Sequence, residues 1–197
     1  MLIESLVISI IVGMLRGGKF SRLSNLSVKK LWLFVLALII QWGIVLFGFS
    51  GNEFVLKYAL ELNILSYILM FIGFIINIRQ RTFIVVLIGM LLNILVMFAN
   101  GWRTPISIDG LRLAGYSELA ELTLSGKLAF YVPLDTTSKY GFLCKIITVP
   151  PPYFFPQVFS IGDAFISLGL FLFIQNIMID ESYDKTGVVR FNYKSRI

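Results

Sequence analysis

The sequence predicts an all-α integral membrane bundle of five transmembrane helices, with a small extracytoplasmic cap between the fourth and fifth, and three observations predict it. Hydrophobic residues make up 57% of the chain against 14% charged, with a mean hydropathy of +0.86. A water-soluble domain carries about 45–50% apolar and about 25% charged residues, so this chain lacks a polar skin and finds its solvent in a bilayer. Five apolar stretches approach the roughly 20 residues that cross a hydrocarbon core. All six prolines fall between residues 101 and 157, among charges of both signs, where no span fits.

The elements follow in order. Leu2 to Leu15 is a short first span, apolar except for Glu4 and its serines, and closed by Arg16, Lys19, Arg22, Lys29 and Lys30. Its start lacks the basic residues and the cleavage pattern of a signal peptide. Leu31 to Phe49, uncharged with Gln41 in its middle, is the second span. A polar break at residues 50–53 and a helix-like stretch from Phe54 to Glu61 lead into the third, Leu62 to Ile78. The brief turn Arg79-Gln80-Arg81-Thr82 makes the third span and the fourth, Phe83 to Asn100, an antiparallel hairpin. Val158 to Ile179 is the fifth, followed by a charged tail over 180–197. Residues 1–197 read as a single membrane domain.

In the cap, Ser107 precedes one short helix ended by Gly115, and Ser117 caps a second over Glu118 to Leu124. Leu128 to Leu134 and Tyr140 to Val149 suit a β-hairpin. Pro150-Pro151-Pro152 and the aromatics before Pro156 suit the headgroup level, since proline breaks helices and interior strands.

Lys and Arg resist translocation and fix the orientation. Eleven lie in 16–30, 79–82 and 180–197, and six in 50–61 and 101–157. The first set is therefore cytoplasmic, the N-terminus outside and the cap extracytoplasmic in a cell membrane. The excess of 17 basic over 11 acidic residues marks cytoplasmic loops rather than a nucleic-acid surface. With one cysteine, Cys144, and no histidine, an internal disulfide, a histidine base and a Cys/His zinc site are excluded. No cofactor or metal is implied.

Polar residues inside a bilayer are costly, so each invites a functional reading. Glu4, Asn100 and Asp163 fall near the outer ends of spans one, four and five, with Arg103 just beyond. Asp163 stands three residues after Ser160, the spacing at which a carboxylate reaches back to a free helix N–H. Asn100 and Arg103 belong to a stop, Asn100-Gly101-Trp102-Arg103-Thr104-Pro105, and would also set an amide and a guanidinium over a pocket mouth. Asn100, Arg103, Asp163 and Glu4 are the candidate ligand-binding residues. Gln41 and Asn93 are expected to form an interhelical polar pair, and Asn77, Gln175 and Asn176 lie at the inner ends. Cys144 would react only with a lowered pKa, to which Lys145 beside it would contribute. An aspartyl protease would need a second carboxylate beside Asp163; the stop after span four supplies none, and Glu4 is the other candidate.

Arg16-Gly17-Gly18-Lys19, Leu23-Ser24-Asn25-Leu26, Gln41, Asn100-Gly101-Trp102-Arg103-Thr104-Pro105-Ile106-Ser107, Pro150-Pro151-Pro152 and Val158-Phe159-Ser160-Ile161-Gly162-Asp163 together resemble domain-of-unknown-function family 5317, small bacterial multi-pass membrane proteins. The resemblance implies a bacterial plasma-membrane protein with a long external loop, and no activity. Relatives tend to show Gly-Asp where this chain has Cys144-Lys145.

The functional expectation is a non-catalytic protein that binds a lipid-like or small amphipathic ligand, a membrane partner subunit or a second copy of itself near the outer leaflet. A small transporter or an intramembrane enzyme using Asp163 is the alternative, with a lipoprotein-signal-peptidase-like protease the poorest fit.

Overall fold

The computed structural model describes residues 1–25, 28–49, 53–128 and 130–180. The break at 50–52 and the tail from 181 lie outside the described residues. The apolar stretches form α1 (Leu2–Leu15), α2 (Leu31–Phe49), α3 (Glu53–Ile76) and α4 (Thr82–Ala99); the cap contributes α5 (Ile108–Leu113) and α6 (Ser117–Leu124), and α7 (Ile161–Ile179) follows it. Helices α3, α4 and α7 are long and apolar enough to cross a membrane, α1 is shorter, and α2 is apolar along Leu31–Ile44. The stretch before the third span is continuous with it, because no proline interrupts residues 53 to 76.

Two packing units result. Helix α7 lies against α1 and α4, while α2 pairs with α3. Missing side chains set the α4–α7 approach: a Cβ added to Gly89 would stand 2.5 Å from the Gly162 carbonyl oxygen, and one on Gly169 2.5 Å from Val86 Cγ2. Small residues let helix backbones approach where no hydrophobic force drives association within lipid. Hydroxyls tie α1 to α7, with Ser5 Oγ donating to Ser167 O at 2.5 Å and Ser9 Oγ to Phe171 O at 2.9 Å. Gln175 donates back to the Ser9 carbonyl.

The end opposite the cap is closed by polar staples and aromatic rings. Arg22, on a 3-10 turn (Phe20–Asn25), donates to Met178 O at 2.9 Å and Ile179 O at 2.8 Å, satisfying carbonyls that end α7. Asn77, after α3, exchanges bonds of 2.8 Å with the Lys29 N–H and carbonyl. Phe34, Phe74, Phe83 and Phe173 form a row with centroid separations of 4.8, 5.0 and 4.4 Å, joining α2, α3, α4 and α7. Each such pair contributes about 0.5–1.5 kcal/mol beyond its buried area. Val86, Met90 and Ile177 fill the core beside them.

The cap departs from the expected hairpin. Strand β1 (Thr104–Ile106) pairs in parallel with β2 (Tyr131–Pro133), and β3 (Ile147–Val149) pairs antiparallel with β4 (Gln157–Phe159). The hairpin thus closes around residues 150–156, because their prolines have no N–H to continue a ladder and turn the chain instead. Residues 131–133 take β1 as partner; Thr104 N donates to Phe130 O at 2.8 Å and Leu134 N to Ile106 O at 2.9 Å, outside Pro105 and Pro133. Because 157–159 is strand, α7 begins at Ile161 rather than Val158. Ser107 caps α5 through Gly110 N at 3.0 Å. Ser117 lies inside α6, with Tyr116 at the cap position and making no side-chain cap bond.

Gly89→Ala is expected to cost about 1–3 kcal/mol by overpacking against α7. Gly43, in α2, faces open space, so Gly43→Ala is expected to be neutral or to gain up to about 1 kcal/mol of helix propensity. Thermal midpoints of the two variants in one detergent check the contrast; equal midpoints would contradict a glycine-set α4–α7 contact.

Candidate functional site

The polar site grows from the first turn of α7. An N-terminal helical turn leaves backbone N–H groups without intrahelical acceptors. Ser160 Oγ accepts from Asp163 N at 3.0 Å, and Asp163 Oδ2 accepts from Ser160 N at 3.1 Å, a reciprocal capping box. The carboxylate is not used up by capping. Its Oδ1 accepts from Asn93 Nδ2 at 2.9 Å, and the Ser160 hydroxyl donates to Asn93 Oδ1 at 2.7 Å. Its Oδ2 also takes the ammonium of Lys145 at 2.5 Å.

Glycine makes room for this cluster. A Cβ on Gly162 would collide with the Asn93 amide oxygen and stand 2.7 Å from Gly89 O, so the absent side chain is what lets α4 bring Asn93 to the start of α7. Lys145 arrives from the cap, where its backbone is clamped on both sides. Its N–H donates to Pro105 O at 3.1 Å and its carbonyl accepts from Ser107 N at 2.9 Å. Burial works against its charge, but the Asp163 carboxylate beside it outweighs burial and holds the ammonium above its ordinary pKa.

Lys145 lines two cavities. One, of about 500 Å3, is bounded by α1, α2, α7 and the approach to β4; Ile3, Trp42, Phe159 and Ile166 give it apolar walls, and Glu4, Gln157 and Asp163 join Lys145 as polar groups. The other, of about 160 Å3, is lined by Gln41, Asn63, Tyr67, Thr104, Phe130 and Tyr131 besides Lys145.

Of the four candidate ligand-binding residues, Asp163 and Glu4 face the larger cavity together. Glu4 accepts from Gln157 Nε2 at 2.7 and 2.9 Å. Asn100 braces the cap instead: it donates to Val96 O at 2.8 Å and Lys139 O at 3.0 Å and accepts from Lys139 N at 2.9 Å. Arg103 stands exposed and outside the Asp163 network; the cation beside Asp163 is Lys145. The Gln41–Asn93 pairing is corrected as well. Gln41 donates to Ser66 Oγ at 3.2 Å within the α2–α3 unit, while Asn93 belongs to α4–α7. Cys144 is buried, its thiol 3.5 Å from Tyr140 O, and burial raises its pKa. A protonated, enclosed thiol is a poor nucleophile.

In the sequence Lys145 stands out only as a neighbour of Cys144. The available signal was a lone cation in the apolar run from Phe142 to Val149, a position an ammonium occupies comfortably only beside a partner. Asn63 and Tyr67 carried no signal, since an amide and a phenol amid apolar residues are ordinary membrane-helix content, and Tyr131 carried none as an aromatic in a short apolar stretch of the cap.

Residues 25–175 match a family described as a family of unknown function, DUF5317. The matched span contains Asn93, Lys145, Ser160 and Asp163, and begins after Glu4. No curated protein and no solved structure matches the chain.

Lys145→Met leaves the Asp163 carboxylate without its cation. The expected loss is roughly 3 kcal/mol, the lower end for breaking a buried pair, because the two side chains keep 19% and 24% of their surface open. Adding Asp163→Asn should recover part of that loss, as read from thermal midpoints of both single variants and the double. Additive losses would contradict the pairing. Maleimide should label native Cys144 far more slowly than the denatured chain; equal rates would contradict the enclosed thiol.

Proposed function

The chain belongs to the DUF5317 family, whose function is unknown, and we propose that it is a non-catalytic, multi-pass protein of a bacterial plasma membrane that holds a lipid-like, amphipathic molecule in the outer leaflet. In this reading α1, α2, α3, α4 and α7 all cross, with the N-terminus outside, the tail cytoplasmic and the cap on the outer face. The distribution of Lys and Arg among the loops supports that orientation. The 14 residues of α1 rise about 21 Å, short of the ~30 Å core. Local thinning and the snorkelling of Arg16 and Lys19 make up the difference.

One observation carries the ligand reading. The cavity of about 500 Å3 has apolar walls on three helices and an ion pair in its lining. Its volume lies within the ~300–1,000 Å3 typical of ligand pockets, which combine hydrophobic walls with a few placed polar groups. An acyl chain suits Ile3, Trp42 and Ile166, and a polar headgroup suits Lys145, Asp163 and Glu4.

Native mass spectrometry of gently purified protein tests this. The wild-type chain and Gly43→Ala should retain a bound lipid mass. Ile3→Trp and Phe159→Trp, which fill the cavity, should lose it while remaining folded. A bare wild-type protein, a lipid retained equally in the filled variants, or a bound protein subunit in its place would overturn the reading.

A further inference from the structure

We infer that the smaller cavity beside Lys145 is a subsite for a phosphate-class oxyanion, the headgroup end of the amphiphile whose chain occupies the larger one. This inference rests on the lipid-like ligand reading above. Lys145 joins the two spaces, since it lines both.

The smaller cavity is rich in hydrogen-bond donors. An ammonium has three N–H donors and no acceptor. Among the described residues one of the three goes to Asp163, at 2.5 Å, and two remain. The side chains of Tyr67, Tyr131 and Asn63, which also line the cavity, have no hydrogen-bond partner among the described residues. Gln41 spends one amide N–H on Ser66, at 3.2 Å, and keeps the other. No carboxylate is in this lining, so the one formal charge there is positive.

An acceptor-rich guest satisfies the N–H and O–H donors this set leaves unspent. Water would need about 30 Å3 per molecule, so the cavity of about 160 Å3 would take roughly five. A phosphate group brings several acceptor oxygens on one centre. Lysine serves phosphate as a point charge, and hydrogen bonds to an ionised group are roughly twice as strong as neutral ones. A carboxylate offers only two oxygens to the ammonium, two phenols and two amides. Lys145 would then stand between two anions, Asp163 on one side and the guest on the other.

The test compares ligands on the full chain stripped of lipid in a non-ionic detergent. Dioleoylphosphatidylglycerol and dioleoylglycerol share chains and differ in the phosphate; inorganic phosphate supplies the anion alone. Binding is read by native mass spectrometry and by the thermal midpoint. The phosphatidylglycerol should bind at least about tenfold more tightly than dioleoylglycerol, the fold-change of a single charged hydrogen bond. Tyr131→Phe and Asn63→Leu should each lower that ratio several-fold with helix content retained, and Ile3→Trp should remove both lipids.

A midpoint raised by inorganic phosphate in the wild type but not in Tyr131→Phe would support the oxyanion subsite and assign its guest to free phosphate rather than to a headgroup. Equal affinity for the two lipids, with no response to phosphate, would overturn the subsite and leave the lipid reading standing. Absence of all three ligands from the wild type would overturn both.

Discussion

In an apolar surround nothing but the protein satisfies a carboxylate, and the cap end of this molecule is organised around how Asp163 meets that demand. Desolvating an isolated charge is prohibitive, so a buried one is retained only when paired and hydrogen-bonded. Asp163 receives the Ser160 N–H from its own helix turn, an amide from α4 through Asn93 and an ammonium from the cap through Lys145. Three separate parts of the chain thus converge on one side chain. The folded cap holds Lys145 in register by clamping its backbone between Pro105 and Ser107.

The second determinant is uneven packing. Gly89, Gly162 and Gly169 draw α4 and α7 into backbone contact, and serine hydroxyls bind α1 to α7. Helices α2 and α3 form their own pair, held to the rest by the row of phenylalanines at the end opposite the cap. Interiors pack to high density where side chains interlock. At the cap end the two units are separated by the larger, apolar-walled cavity, while the smaller, lined by phenols and amides, lies between the α2–α3 pair and the cap; Lys145 lines both. The proposed ligand site is therefore a consequence of where the bundle is tight and where it is not.

Much of the fold was legible because a bilayer imposes a simple code. Runs such as Phe83 to Asn100 declare helices by composition alone, since only closed hydrogen bonding survives in hydrocarbon. The capping box was legible too, because Ser160 and Asp163 act over three residues. Strand pairing in the cap was not, because three-residue strands take their partners from distant segments: β1 and β2 are 25 or more residues apart, as the Thr104 to Tyr131 register shows. The Gln41–Asn93 expectation failed for a related reason. Depth in the membrane follows from position along a helix, but azimuth and neighbour do not.

By itself the sequence determined the positions of the apolar helices, three of them long enough to cross a membrane, and the local cap of α7, all properties of composition or of contacts within a few residues. Only the tertiary structure decided that Lys145 rather than Arg103 meets Asp163, that Asn100 braces a loop and that Asn93 and Gln41 serve different helix pairs. Partner choice depends on which backbones approach, and that is set by glycines and a folded cap acting across 18 to 70 residues of chain.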